Sequence, residues 1–541
     1  MVKKKLVVMA ASAALVASTV AGGTALAAQR GSGSSAAGAQ AAVAQAPAAT
    51  QVSYTPPPIK WSKCASESLQ ARKAKCGYLV VPLDYAKPKG TKIRLAVSRV
   101  AHTVKQADYQ GIMLVNPGGP GGSGLTLSSL GQYVPDNAGD AYDWIGFDPR
   151  GVGSSKPALT CNGNYTSYDR PKYVPKTSKG EKIWLKRSKG YAQACAKAGG
   201  ALLDNLKTTD NVKDMDVIRK ALGQKQLNFY GFSYGSYLGQ VYATQYPTRV
   251  RRMVLDGVVD PRDVWYQANL NQDVAFDKNM DVFFAWVAKN NATYKLGKTG
   301  AAVKKEYYKQ LHRLDKKAAG GKIGGDEWTD IFLSAGYYVF GWEDVADAFA
   351  GWVHDGDWKT LKAMWDDSNP QGKGADNGYA MYLATQCTDV QWPKSWAKWK
   401  KDNTRVNAKA PFETWANAWF NAPCISWKGD VGKPVKVNGA KAPAILLIAE
   451  TKDAATPYAG ALEVRSRFPK SVLVEGVNGT THAGSLNGVA CTDDTVASYL
   501  KDGTLPKRVS GRKSDKQCDP VPQPKPTASS KQSKASTEHA A

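Results

Sequence analysis

The sequence predicts an α/β fold in which a mostly parallel sheet is flanked by helices and interrupted by an inserted helical cap. Three observations carry this expectation. Short apolar runs alternate with amphipathic helical stretches on both sides of the middle of the chain. Residues 227–239 read as an apolar strand, a Gly-x-Ser-x-Gly turn centred on Ser233, and a helix that runs to Tyr246 and stops before Pro247. Residues 262–435 have a different texture: thirteen of the sixteen tryptophans lie there, among amphipathic helical stretches and many lysines and aspartates.

The chain has 541 residues, enough for a full core with an insertion. Lys3-Lys4-Lys5, an apolar run from Leu6 to about Val20, and Ala25-Leu26-Ala27 read as a secretory signal over residues 1–27. Residues 28–58 are low in complexity and read as a linker or pro-segment; residues 520–541 are rich in Pro, Ser, Lys and Thr and read as a disordered tail. The sheet domain is then expected over 59–261 and 436–519, with the cap at 262–435. No later stretch is long and apolar enough to span a bilayer, so a secreted protein without a transmembrane anchor is expected.

The eight cysteines fit export. Eight cysteines allow 105 connectivities, and pairing of sequence neighbours is the expectation here: Cys64 with Cys76, Cys161 with Cys195, Cys387 with Cys424, and Cys491 with Cys518. No C-x-x-C spacing occurs and no histidine lies near a cysteine pair, so no metal or other cofactor is expected. Lys and Arg number 72 against 46 Asp and Glu, a formal net charge of +26. Such a surface favours weak association with anionic cell-wall polymers. Nucleic acid is disfavoured as a partner, because the lysines are scattered, no nucleic-acid module is present and the chain carries an export signal.

Taken in order, residues 76–100 alternate apolar and polar side chains, as antiparallel edge strands do. A buried strand at 111–115 runs into Asn116-Pro-Gly-Gly-Pro-Gly-Gly-Ser-Gly124. So many glycines let backbone N–H groups converge on an anion, as a phosphate cradle or an oxyanion hole, but the G-K-[ST] ending of a phosphate loop is missing. A short strand at 144–147 leads into the turn Asp148-Pro-Arg-Gly-Val-Gly-Ser154. Val212, Met215, Ile218 and Leu222 give an amphipathic helix over 209–223, capped by Thr209 or Asp210 and stopped by Gly223. A strand at 253–255 follows the Ser233 helix. Helical stretches are expected at 274–287 and 345–364 inside the insertion, where the tryptophans pack a core of their own and some line the substrate entrance. Strands return at 444–449 and 471–475, separated by an amphipathic stretch at 458–468.

A serine near neutral pH needs a base to take its proton and a carboxylate to orient that base. Of the five histidines, His102 ends an early strand, His312 and His354 lie in the insertion and His539 in the tail. His482 follows the last apolar strand, where the base of an α/β-hydrolase belongs. The loop after the 444–449 strand offers Glu450 and Asp453; Asp453, further out, is preferred as the acid, with Glu450 and then Asp256 in reserve. The order is then Ser, Asp, His, as in α/β-hydrolases.

These motifs, Asn116 to Gly124, Asp148 to Ser154, Gly231-Phe-Ser-Tyr-Gly235, Asp453 with Thr456-Pro457, and His482, resemble those of the secreted tripeptidyl aminopeptidases of actinobacteria, α/β-hydrolase serine peptidases related to prolyl aminopeptidases. The resemblance covers about Cys64 to Cys518. It implies Ser233 as nucleophile, Asp453 as acid, His482 as base, and an oxyanion hole made by the N–H groups of Gly119 and Tyr234. The chain departs from the family at Ala454, where proline is usual, and at Thr481, where a glycine or other small residue often precedes the histidine. The expected function is release of short fragments, tripeptides by the resemblance, from peptide substrates with a free N-terminus, through an acyl-enzyme. An exopeptidase of this kind needs an anionic group in the cap to hold the substrate ammonium; Glu343 and Asp389 are candidates, although both read first as ordinary surface or capping carboxylates. The rival readings are a secreted carboxylesterase or lipase using the same triad, and a non-catalytic wall-adhering protein.

Overall fold

The computed structural model describes residues 53–168 and 170–526. The export signal, most of the low-complexity stretch and the end of the tail lie outside them. Ten strands form one sheet in the order β1-β2-β3-β5-β4-β6-β7-β8-β9-β10. They are β1 (Ser62–Lys63), β2 (Lys75–Pro82), β3 (Lys92–Val100), β4 (Ile112–Asn116), β5 (Asp143–Phe147), β6 (Leu227–Phe232), β7 (Val250–Asp256), β8 (Leu446–Glu450), β9 (Val472–Gly476) and β10 (Lys516–Cys518). The alternating segment at 76–100 forms the antiparallel pair β2 and β3 at one side of the sheet, and β3 meets β5 antiparallel as well. From β5 through β4, β6, β7, β8 and β9 to β10 every pairing is parallel. Strands β4 to β9 are almost wholly buried, which is why they read as unbroken apolar runs rather than alternating ones.

Register fixes which residues share the carboxyl edge. Asn116 pairs with Gly231, Phe232 with Asp256, Asp256 with Ile448, and Glu450 with Gly476. The loops that follow β4, β6, β7, β8 and β9 therefore leave from one rim, where open parallel sheets bind ligands.

Between β7 and β8 the chain contributes helices and no strand of the sheet. The expected helix at 274–287 is part of a longer one, Tyr266–Lys289. The expected helix at 345–364 is two, Trp342–Asp355 and Trp358–Ser368. Gly356 adopts the left-handed conformation, φ 68°, that ends the first, and the Asp357 carboxylate caps the second by accepting the N–H groups of Lys359 and Thr360. The tryptophans divide among three sites. Trp286, Trp328, Trp342 and Trp365 fill a core within the insertion, whereas Trp265, Trp392, Trp399 and Trp427 join the core of the sheet. Trp419 stacks on Trp184 from the helix Ser178–Gly199, and Trp415 stacks on Trp419. The insertion is thus packed into the sheet domain rather than resting on it.

The helix expected at 209–223 runs Thr208–Ala221, with Lys207 at its N-cap and no side-chain cap from that residue. Its first amide is satisfied from the insertion instead, because Asp389 Oδ1 accepts the Thr208 N–H at 2.6 Å. Ordered chain also extends past the expected limits. Tyr54 donates its hydroxyl to the Val80 carbonyl. At the other end the buried Val521 donates its N–H to Glu450, and the Pro524 carbonyl accepts Trp286 Nε1. Composition reports how little apolar surface such segments carry, and not that a single side chain has a seat.

The structure pairs Cys64 with Cys76, Cys161 with Cys195, Cys387 with Cys424, and Cys491 with Cys518. Among the described residues no helix is long and apolar enough to cross a membrane. The Asp148 to Ser154 turn is anchored by Arg150, which is fully buried. Its Nε and Nη2 each donate to Asp214 at 2.7 Å, and its Nη1 donates to the carbonyls of Leu83 and Asn205. Arg150→Met should therefore cost about 3–5 kcal/mol, because it strands the Asp214 charge in the interior. Urea denaturation will measure the loss, and adding Asp214→Leu should recover much of it.

Candidate active site

Ser233 sits between β6 and the helix Tyr234–Gln245 with φ 56° and ψ −124°, a conformation that costs a non-glycine residue about 1–3 kcal/mol. Its neighbours show what makes the turn possible. A Cβ on Gly231 would lie 2.4 Å from the Gly235 carbonyl oxygen, and one on Gly235 would lie 2.8 Å from the carbonyl oxygen of Asn116. Both glycines are demanded by space. The Ser233 N–H donates to the Asp256 carbonyl at 2.8 Å and its own carbonyl accepts from the Ser236 N–H, so the strained residue is tied on both sides.

The glycine-rich loop after β4 presses on this turn. Gly118 has φ +99°, and a Cβ there would stand 2.7 Å from Ser233 Cβ and 3.1 Å from the Tyr234 nitrogen. Asn116 Oδ1 accepts the Gly118 N–H. Asp148 holds the far end of the loop: its Oδ1 accepts the Ser123 hydroxyl and the Gly124 N–H, and its Oδ2 accepts the Ser154 N–H. Gly119 and Tyr234 line the same cavity as Ser233. Tyr234 is the first residue of its helix, so its N–H has no partner within that helix.

Asp453 and His482 meet. His482 Nδ1 lies 2.8 Å from Asp453 Oδ2, and Asp453 also accepts the Thr456 N–H and hydroxyl at 3.0 and 2.7 Å. The imidazole is buried and lies against Gly257, where a Cβ would be 2.9 Å from Cε1. Gly257 directly follows the carbonyl that holds Ser233, and Thr456 lines the cavity with Ser233. Burial works to lower the His482 pKa; the charge of Asp453, its hydrogen bond and the charge of Asp256 outweigh that and raise it above the ordinary imidazole value. The insertion grips the same loop. The Tyr337 carbonyl accepts the His482 N–H, Asn279 Nδ2 donates to the Thr480 carbonyl, and the Val339 N–H donates to Thr481 Oγ1.

The reserve acids lie elsewhere. Glu450 is packed among Gly476, Gly479 and Gly484 and accepts the Val521 N–H; burial pushes its pKa up to about 8. Asp256 bonds Ser485, and burial pushes it up to about 6. Of the cap carboxylates named from sequence, Asp389 is occupied with Thr208 and Trp265 Nε1, and Glu343 lies in the first turn of Trp342–Asp355, away from the cavity lining. The motif reading missed Asp273 and Glu413. Both are buried and neither pairs with Lys, Arg or His among the described residues. Asp273 Oδ2 and Glu413 Oε1 also lack hydrogen-bond partners. Burial drives both pKa values well above the usual carboxylate range, and Asp273 pushes Glu413 further. A polar chain links Asp273 to the cavity: Asn417 Nδ2 donates to Asp273, and Asn421 bonds Asn417 and Asn269. Asn269 and Tyr382 are cavity walls. A sequence signal did exist, since Asp273 and Asp277 interrupt the Leu270, Met280 and Phe284 stripe where a buried helix face asks for apolar side chains.

The cavity holds about 650 Å³ and is lined by Ser233, Gly119, Trp265, Asn269, Tyr382 and Thr456, among others. Its size is that of a small-ligand site (about 300–1,000 Å³).

The alpha/beta hydrolase fold family matches residues 111–489. A tripeptidyl aminopeptidase of Streptomyces lividans is 42% identical over 481 residues, covering 86% of this chain and 88% of its own. Serine protease Hip1 of Mycobacterium tuberculosis is 31% identical over 476 residues, covering 83% and 90%. This chain belongs to the serine peptidases of the α/β-hydrolase family. A carboxylesterase B of the same mycobacterium is 30% identical over 472 residues, covering 83% and 89%, so relatives with both kinds of name share this fold.

Two outcomes are expected of this peptidase. Gly235→Ala should fold poorly or lose most activity, since its methyl meets the Asn116 backbone, whereas Gly190→Ala, with open space around it, should behave as wild type in the same assay. Glu450 keeps its proton in the folded state up to about pH 8, while the unfolded chain gives it up near its ordinary value. Stability is therefore lost as pH rises between those two values, and Glu450→Gln should raise the Tm at pH 8 while changing it little at pH 5, as read by calorimetry.

Proposed function

We propose that the protein is an exported serine exopeptidase that removes short fragments, tripeptides by analogy with its Streptomyces relative, from the free N-termini of peptides. The observation that carries this reading is the Asp453 to His482 hydrogen bond at the sheet rim where Ser233 is held on its strained turn. His482 takes the proton of the Ser233 hydroxyl as the oxygen bonds to the substrate carbonyl carbon, and the carbonyl electron pair moves onto its oxygen. Gly119 and Tyr234 N–H groups receive that oxyanion. The imidazolium returns the proton to the leaving amine, and water then enters by the same route to release the acyl fragment. Asp453 holds the imidazole in the tautomer this needs, and Thr456 holds Asp453.

The requirement for a free N-terminus is supported by Asp273 and Glu413. Both are buried acids with an unpartnered oxygen and no cationic partner among the described residues, and a substrate ammonium is the group that would partner them. An ester substrate brings no such charge. Export is supported by the signal-like N-terminus and by the four disulfides. The net charge of +26 supports association with anionic wall polymers outside the cell.

Chromogenic tripeptides with free and acetylated N-termini, compared with a short-chain ester, test the reading. Wild type should turn over the free peptide by far the fastest, and Ser233→Ala should lose at least about 10³-fold. Equal turnover of free and acetylated peptides would remove the exopeptidase assignment, and ester-only turnover would favour a carboxylesterase. Asp273→Asn and Glu413→Gln should each raise KM for the free peptide about tenfold or more and leave the acetylated one unaffected.

A further inference from the structure

The end of β7 holds a carboxylate to which the triad assigns no task. Asp256 is fully buried. Its carbonyl accepts the Ser233 N–H at 2.8 Å, while its side-chain Oδ2 accepts the N–H and hydroxyl of Ser485 at 2.8 and 2.5 Å, three residues after His482. The Ser485 hydroxyl is also 2.6 Å from that of Tyr230. The next residue, Gly257, is the floor on which the imidazole lies. One residue thus ties the nucleophile turn to the base loop from beneath.

Its other oxygen is unexplained by packing. Asp256 Oδ1 is sealed from solvent and has no hydrogen-bond partner, and no Lys or Arg pairs with the carboxylate among the described residues. The titratable groups that act on it are Tyr230 from β6, Glu450 from the end of β8, Asp453 from the following loop and His482 from the loop after β9. Beyond Ser485, Asp493 accepts the Leu486 and Gly488 N–H groups. Only His482 among these can become positive.

We propose that Asp256 is a positioning residue for the reaction: it holds the His482 loop against the Ser233 turn, and as a second buried carboxylate beside the base it stabilises the imidazolium formed when His482 takes the serine proton. The inference rests on His482 being the base. A glycine follows Asp256 because φ at 257 is +66° and a Cβ there would stand 2.9 Å from His482 Cε1.

Asp256→Asn keeps the shape and one acceptor for Ser485 but removes the charge. With a free tripeptide, kcat should fall about tenfold with KM within about twofold, the size expected for one charge near the imidazolium at intermediate dielectric. The acid limb of kcat/KM should move to lower pH, because His482 loses an anionic neighbour that raises its pKa. Ser485→Ala removes the hydroxyl bond from the loop to Asp256 and leaves the N–H bond and the charge, so it should lower kcat with the limb in place. The His482 titration is read independently of turnover by NMR in a Ser233→Ala background, where adding Asp256→Asn should lower the imidazole pKa. An unmoved limb together with an unmoved NMR titration would overturn the electrostatic role, and an unchanged kcat in Ser485→Ala would overturn the positioning role. If Asp256→Asn does not fold, Asp256→Ser with the same NMR readout decides the charge question. Full activity in His482→Ala would instead sink the underlying assignment, which keeps the two failures apart.

Discussion

The site depends on how closely backbone can approach backbone around Ser233. Three pieces of main chain, the end of β4, the Ser233 turn and the first turn of the following helix, are packed so tightly that methyl groups at 118, 231 or 235 would fall within 2.8 Å of a neighbouring atom. That crowding holds Ser233 in a conformation it would not choose in a free chain, and it brings the glycine-loop backbone against the serine and the Tyr234 amide. Two hydrogen bonds from Ser233, to Asp256 and from Ser236, keep the strain in place. The rest of the sheet serves as the rigid body against which the turn is braced.

Around this turn, the insertion also holds the loop that carries His482. Tyr337, Asn279 and Val339 all bond the 480–482 segment, so the placement of the imidazole depends on helices that lie more than a hundred residues away in the chain. Asp389 reaches from the insertion to start the helix Thr208–Ala221, and Trp265 reaches from it into the sheet core. Thr481 is one of the residues that make this connection. Asp273, Glu413 and Glu450 are buried acids that pair with no Lys, Arg or His among the described residues, in a chain whose formal net charge is +26.

Legibility followed locality. The strands β4, β5, β6, β7, β8 and β9 were each visible within a residue or three, because a strand buried on both faces is an apolar run whatever its neighbours are. The Gly356 break between two helices of the insertion is invisible in the sequence, since glycine and aspartate at a helix junction look like ordinary members of an amphipathic pattern until the turn forms. Motif and position point to Ser233, Asp453 and His482, and the structure brings Asp453 and His482 into contact. Asp273 and Glu413 escaped, although Asp273 breaks an apolar helical stripe, because a carboxylate in sequence carries no mark of how deeply it is buried.

The sequence by itself determined the parallel sheet, the elbow and the existence of a helical insertion, because apolar periodicity and glycine placement act over a few residues and need no distant partner. Only the tertiary structure decided which acid faces the histidine, which tryptophans belong to the sheet and which to the insertion, and which carboxylates remain unpaired. Those outcomes are set by burial and by contacts between residues far apart in the chain, and burial is a property of the assembled fold rather than of any one segment.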